Sequence, residues 1–260
     1  MFTRVLHEPP FRLLAKCLAR YCSRSLASKV RWEAAERPQY ALGVLFAANQ
    51  ARRLGIPEIV VIEFGVASGK GLLVLAAHAA RAEREIGTRI QVYGFDLGTG
   101  LPASSDFRDH PDNWKGGDFP MAGNLQSRIG ANTRLVLGNV AVTVSQFVAR
   151  QTVPVGFAAF DLDLYSSTRA ALELFTLPDA KMLPHTALYF DDTQQSFNHR
   201  FAGELLAIDE FNRESASVKI DRWRGIRVLT AFPDSPWLEA MYMAHQLVVA
   251  PSVRREALRL

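Results

Sequence analysis

The densest chemistry in the chain lies in ten residues, Ile62-Glu63-Phe64-Gly65-Val66-Ala67-Ser68-Gly69-Lys70-Gly71. They follow an apolar run, Ile59 to Ile62, that reads as a buried strand. They precede Leu72 to Ala80, which is rich in good helix formers. An acid therefore ends a strand, three glycines form the turn, and a helix begins. Glycine there lets the backbone come close to a ligand, and open α/β sheets bind ligands at the carboxyl ends of their strands. A second acid, Asp96, ends the run Ile90 to Phe95, where a doubly wound fold places an acceptor for ribose hydroxyls. A lone aspartate at such a place is often a helix cap. Two acids at successive strand ends, flanking a glycine turn, point instead to one cofactor pocket lined by Glu63 and Asp96.

The spacing of the turn excludes two common nucleotide sites. A dinucleotide fingerprint needs G-x-G-x-x-G, and counting from Gly65 its second and third glycines fall on Ala67 and Lys70. A phosphate-binding loop needs four residues between its glycines, then Lys and Ser or Thr; here three residues separate Gly65 from Gly69, and Lys70 is followed by Gly71. What remains, E-x-G-x-x-x-G-x-G, resembles motif I of the class I methyltransferases, which bind S-adenosylmethionine (SAM). SAM has no pyrophosphate for a lysine to cradle, but its ribose hydroxyls need carboxylate acceptors. A glycine-rich turn with no ligand is the plainer alternative.

Two further acid pairs end the next strands. Gly156 to Phe160 runs into Asp161-Leu162-Asp163, and Ala187 to Phe190 runs into Asp191-Asp192. In a parallel sheet these ends share the edge that holds Gly65 and Asp96. Like charges crowded together raise one another's pKa, and a hard divalent cation relieves the repulsion; magnesium takes one or two carboxylates and keeps waters and substrate oxygens. Asp163, Asp191 and Asp192 are thus candidate Mg²⁺ ligands. Individually, each acid is equally well read as a helix cap or a solvent-facing residue.

The segments Phe160-Asp161-Leu162-Asp163-Leu164-Tyr165-Ser166-Ser167-Thr168, Tyr189-Phe190-Asp191-Asp192 and Gly203-Glu204, with Gly94-Phe95-Asp96 followed by Gly100-Leu101-Pro102, resemble the macrocin O-methyltransferase (TylF/MycF-like) family over roughly residues 40 to 232. The resemblance implies SAM- and Mg²⁺-dependent methyl transfer to a hydroxyl of a small molecule, often a sugar or natural-product scaffold, with Asp163, Asp191 and Asp192 matching the metal aspartates. The implied cofactor-binding set is Glu63, Gly65, Ala67, Gly69, Gly71, Asp96, Asn139 and Asp161. Asn139 departs from the acid that many class I methyltransferases place after the third strand, although an amide also hydrogen-bonds a base edge. His110 is the candidate general base, since imidazole titrates near neutrality, with His199 as alternate; Asp163 and Asp191 complete the catalytic set. A hydroxylase-type activity and a non-catalytic SAM-fold protein are the rival readings.

The elements that must position these residues alternate between strand and helix, which predicts a doubly wound, largely parallel Rossmann-like sheet. A helix is expected over Tyr40 to Leu54, strands over Thr133 to Leu137 and Ile226 to Phe232, helices over Val142 to Gln151, Arg169 to Phe175 (capped by Ser166-Ser167-Thr168) and Gly203 to Asn212, and a mixed closing segment from Trp237 to Val249. The long polar stretch Leu97 to Gly123 is a loop, and a lid in function; Phe107, Trp114, Phe119, Phe197 and Phe201 are candidate walls of an acceptor pocket. Residues 1–37 form a basic helical extension, with Arg12, Lys16, Arg20 and Arg24 at every fourth position and Phe11, Leu14, Leu18 and Tyr21 beside them. Residues 38–250 are the methyltransferase domain and 251–260 a tail. With 48% hydrophobic residues and a net charge of +4, the composition gives an ample core and no nucleic-acid stripe. Cys17 and Cys22 alone exclude a disulfide framework. Glu8, Pro9 and Pro10 interrupt any signal-peptide core, and no run reaches membrane-span length. A cytoplasmic homo-oligomer, dimerising through the N-terminal helices, is expected.

Overall fold

The computed structural model describes residues 10–177 and 181–247; the expected tail, 251–260, lies outside them. Seven strands form one sheet in the order β3-β2-β1-β4-β5-β7-β6. They are β1 Glu58–Phe64, β2 Arg89–Asp96, β3 Thr133–Leu137, β4 Val155–Phe160, β5 Met182–Phe190, β6 Val218–Arg222 and β7 Met241–Gln246. The first five are parallel, while β7 runs antiparallel to both β5 and β6. The expected largely parallel, Rossmann-like sheet is present.

Burial explains the central strands. Every residue of β4 and all but the first of β1 are buried, the continuous apolar pattern of strands covered on both faces. One face packs on α3 (Pro38–Arg53) and α4 (Lys70–Ile86), with α2 (Leu26–Arg31) behind them. The other packs on α5 (Val140–Arg150), α6 (Tyr165–Ala171) and α7 (Gly203–Glu214). On that second face Phe64 stacks on Phe160 at 5.1 Å and Phe160 on Phe190 at 4.6 Å. Each of these rings, fully buried, contributes about 1.5–3 kcal/mol, and the row runs across the ladder of β1, β4 and β5. The chain leaves β1 toward β2 and β3, then returns to β4 on the opposite side. The order reverses between β1 and β4, where doubly wound folds open a crevice.

One expected element is corrected. The strand Ile226 to Phe232 is instead a 3-10 turn, Ile226–Leu229, with Val228 and Leu229 exposed; the edge strand is β6, whose Val218 and Ile220 alternate with polar residues. The mixed closing segment is a 3-10 turn, Pro236–Ala240, followed by β7. In the N-terminal α1 (Phe11–Cys22) two of the basic residues turn toward the domain while Arg20 stays exposed: Arg12 and Lys16 lie 4.8 and 5.0 Å from the Phe232 ring centre, and Lys16 is 3.8 Å from Glu33. Phe11, Leu14, Leu18 and Tyr21 face solvent instead. Both side chains lay their charges over an aromatic face while staying partly exposed to water, and Arg24 falls in the break after α1. Among the described residues no helix is long and apolar enough to cross a membrane.

At the far end of β5, His185 and His245 stand directly opposite each other, their Nδ1 atoms 3.0 Å apart. Gln50 of α3 binds the His185 backbone, and β6 brings Lys219 into register with His245 and places Asp221 nearby. Burial lowers the pKa of both imidazoles, and His245 lowers that of His185 further. A histidine whose folded pKa lies below its unfolded value near 6.5 costs nothing above that pH and destabilises the fold as the pH drops through it. The two histidines therefore subtract stability as the pH falls from about 7.5 to 5, against the raised carboxyls of the crevice, and the change in melting temperature over that range should be more favourable in His245→Asn than in the unaltered protein.

Candidate active site

A cavity of about 600 Å³ opens at the switch point, within the range of small-molecule sites. Its floor is the glycine turn. Gly65 sits at φ +81°, and a Cβ there would come within 1.7 Å of the Asp161 carbonyl oxygen, so no other residue lets β1 and β4 end this close together. Gly71 opens the first turn of α4, where a Cβ would meet Glu63 Oε1 at 1.9 Å. Ala67 also adopts a left-handed backbone, at φ +42°. Gly69 caps α4 with no side-chain bond.

The acids at the strand ends divide the work. Asp96 braces the turn: its Oδ2 accepts the backbone N–H groups of Val66 and Ala67 at 2.8 and 2.9 Å, and its Oδ1 that of Gly98 at 2.6 Å. It still lines the cavity. Glu63 lies deeper, 1% exposed. Its Oε1 accepts the Tyr40 hydroxyl at 2.7 Å, with Arg37 Nη1 at 3.8 Å, while its Oε2 is buried without a partner. Burial pushes the Glu63 carboxyl up to about 8, against the pull of Tyr40 and Arg37. Asn139 lines the cavity but spends its Oδ1 capping α5 through Ala141 N–H at 2.9 Å. Its NH₂ group remains as the donor.

Asp161, Asp163, Asp191 and Asp192 all line the same cavity, as their places at the ends of β4 and β5 require. Burial first, then neighbouring carboxylates, pushes Asp161, Asp163 and Asp192 each up to about 7. Asp163 is held at φ +61°, a backbone region costly for a non-glycine residue. Asp192 Oδ2 is buried with no hydrogen bond. As the side chains are placed, no group of three or more Asp, Glu, His or Cys residues among the described residues could hold a metal ion. The Tyr189 hydroxyl draws Asp191 aside. The Asp163 backbone N–H and the Gln195 side chain engage Asp192.

The loop Leu97 to Gly123 covers the cavity and is anchored. Ala122 N–H donates to the Ala67 carbonyl at 3.0 Å, and Leu101 pairs with Asp118 and Gly117 at 2.8 Å each. The Asp109 carboxylate accepts Ser166 N–H at 2.7 Å and Ser166 Oγ–H at 2.9 Å. Asp109 thus caps α6 from outside. The expected Ser166-Ser167-Thr168 cap does not form, because α6 already starts at Tyr165, and Leu164 has no capping side chain. Arg108 adds a bond to the Tyr165 hydroxyl at 3.0 Å, and Tyr165 bonds Glu210 of α7.

His110 and His199 do not line the cavity. Their rings sit 5.3 Å apart, with Phe197 at 5.4 Å from His110, and burial lowers the pKa of His110. Of the five candidate aromatics, Trp114 and Phe119 line the cavity, and Trp114 Nε1 is buried without a partner. Phe197 packs behind Trp114 at 5.7 Å. Phe107 and Phe201 are 70% and 76% exposed. Arg37, Tyr40 and Asp109 were not foreseen from the sequence; each is isolated from any motif, and only the tertiary fold gives it a partner here.

No protein-family model matches the chain, and no curated protein matches it. Solved structures do. CalS11, a calicheamicin methyltransferase, is 21% identical, with 92% of this chain and 93% of that chain covered and a TM-score of 0.53. The chain carries a class I methyltransferase fold. The apo structure of CalS11, described as a TDP-rhamnose 3'-O-methyltransferase, aligns at 19% identity over 92% and 95% of the two chains, with a TM-score of 0.45. An O-methyltransferase from Bacillus cereus in complex with SAH aligns at 13% identity over 90% and 88%, with a TM-score of 0.40.

The Asp109 cap carries a stability consequence. Asp109→Ala should lower unfolding free energy by about 0.5–2 kcal/mol, the range for a lost helix cap. Asp109→Asn, which keeps an acceptor oxygen, should recover most of it in urea titrations.

Proposed function

We propose that the protein is a SAM-dependent O-methyltransferase, assisted by Mg²⁺, acting on a hydroxyl of a small molecule. The observation that carries this reading is the convergence, on one cavity at the switch point, of the glycine turn, Asp96 and four aspartates from the ends of β4 and β5. CalS11, whose fold the chain shares, is a methyltransferase. The cavity chemistry favours cations: six carboxyl groups line it, and a sulfonium is a cation.

The donor set suits a hard dication. Asp163, Asp191 and Asp192 offer only oxygens, they repel one another, and Asp192 Oδ2 is buried with nothing to bind. These three residues would hold Mg²⁺ once Asp191 turns from the Tyr189 hydroxyl toward the other two. When bound, SAM supplies an electrophilic methyl group and Mg²⁺ a Lewis acid for the acceptor oxygen.

The chain's own residues do the rest. Asp96 keeps the turn open for an adenosine by holding the Val66 and Ala67 amides, and the Asn139 NH₂ is left for a base edge. Trp114 and Phe119 close the outer wall and exclude water, and the Trp114 indole N–H is free to meet an acceptor oxygen. Neither His110 nor His199 reaches the cavity wall, so neither is placed to take the proton released by the acceptor hydroxyl.

Methyl transfer from SAM to a panel of hydroxylated acceptors, with and without Mg²⁺, tests the reading. Asp191→Ala should abolish the Mg²⁺-dependent transfer while SAM affinity, by calorimetry, stays within a few-fold. Loss of SAM binding in that variant would contradict the role given to Asp191.

A further inference from the structure

We infer that the apolar face of α1 seats the protein on an anionic lipid surface, with the helix lying in the plane of the bilayer interface and its basic residues meeting the headgroups. The inference stands apart from the SAM reading and shares no residue with the cavity.

A helix packed on a globular core normally turns its apolar stripe inward and its charges outward. α1 does the reverse. Arg12 and Lys16 turn toward Phe232 and Glu33, and Ala19 is the one buried residue of the helix. Phe11, Leu13, Leu14, Leu18 and Tyr21 are exposed, Tyr21 by 82%. At about 3.6 residues per turn these five fall within one half of the circumference, and the exposed Cys17 lies among them. Among the described residues fourteen large apolar side chains are exposed, and these twelve helical residues carry five of them. Single exposed apolar residues are ordinary, whereas a continuous face of this kind is a docking surface. Arg20 stands at its edge and is exposed, as is Arg24 just beyond the helix.

Charge selects what covers the face. Residues 1–32 hold seven Lys and Arg against one acid, Glu8, a net charge of +6 in a chain whose total is +4. The rest of the chain is therefore net negative, and the excess of positive charge is confined to the segment that carries the apolar face. The chain's own last residues, 251–260, are no complement, since Arg254, Arg255 and Arg259 outnumber Glu256. A second copy laid α1 against α1 would bring two basic segments together, with no acid in either helix to pair with them. An anionic bilayer answers both features. Its acyl boundary takes Phe11, Leu14 and Leu18, and its headgroups take the arginines. Tyr21, with an apolar ring and a polar tip, suits the headgroup level between them. Twelve helical residues reach about 18 Å, against about 30 Å of hydrocarbon in a bilayer, so the helix lies on the membrane and does not cross it.

The test mixes the full chain with vesicles of phosphatidylcholine alone, or of phosphatidylcholine with phosphatidylglycerol, and reads the bound fraction by co-sedimentation. The unaltered protein should bind the anionic vesicles and not the neutral ones, and added salt should weaken the binding. Leu14→Ser combined with Leu18→Ser should abolish it. Arg20→Gln combined with Arg24→Gln should weaken it by about fivefold for each charge removed. All four side chains are exposed, so both double variants should melt with the unaltered protein. The lipid-charge and salt comparisons need no variant and decide the matter even if one fails to fold. Binding to neither vesicle, or equal binding to both, overturns the inference. So does a dimer in light scattering that Leu14→Ser with Leu18→Ser splits into monomers, because the face then belongs to a second copy.

Discussion

The close approach of β1 to β4 at their carboxyl ends governs the site. Asp161 N–H donates to the Phe64 carbonyl at 2.9 Å, and the next residue, Gly65, turns away against the Asp161 carbonyl oxygen with no room for a side chain. Phe64 and Phe160 stack beneath that junction. Because the ends are this close, the acids that follow β4 and β5 cannot spread apart. They share one low-dielectric crevice with Glu63, and the sheet pays for this with strained backbone at Asp163 and carboxyls that hold protons near neutral pH.

That arrangement is poor for stability and suited to binding. Buried like charges are tolerated where a ligand compensates them, and perturbed carboxyls cluster at functional sites. The cavity is surrounded by devices that keep its acids in place. Asp96 is locked to three backbone amides, Asp191 to Tyr189, and the Asp192 backbone to Glu204 at 3.1 Å. Glu204 is itself fully buried, with one oxygen unpaired. The covering loop is tied to α6 and α7 through Asp109 and the Arg108–Tyr165–Glu210 chain. Rigid support of this kind is what a reacting geometry requires.

Much of this was legible in the sequence because it rests on local pattern. The strand–turn–helix around Gly65, the bounds of β2 and β3, and the acids at the ends of β1, β2, β4 and β5 follow from apolar runs and their punctuation. What was not legible depends on contacts between distant residues. Nothing near Asp109 says that it caps α6, some 57 positions on. Arg37 looks like one more basic residue before a proline until Glu63 is placed beside it. The inward turn of Arg12 and Lys16 in α1 depends on Phe232, toward the other end of the chain. β6 was missed because its five residues carry only two buried apolar side chains, and the neighbouring run Ile226 to Phe232 is more apolar but has no strand to pair with. His110 drew attention by its chemistry, yet its backbone turns it toward His199 and Phe197.

The most direct test of the central claim is a crystal structure of the protein grown with adenosylhomocysteine. The account predicts density for the whole ligand in the crevice between β1 and β4, its ribose beside Asp96 and its sulfur facing Asp163 and the aspartates after β5. Ligand bound at another surface, or a crevice that stays closed by its own side chains at saturating ligand, would contradict it.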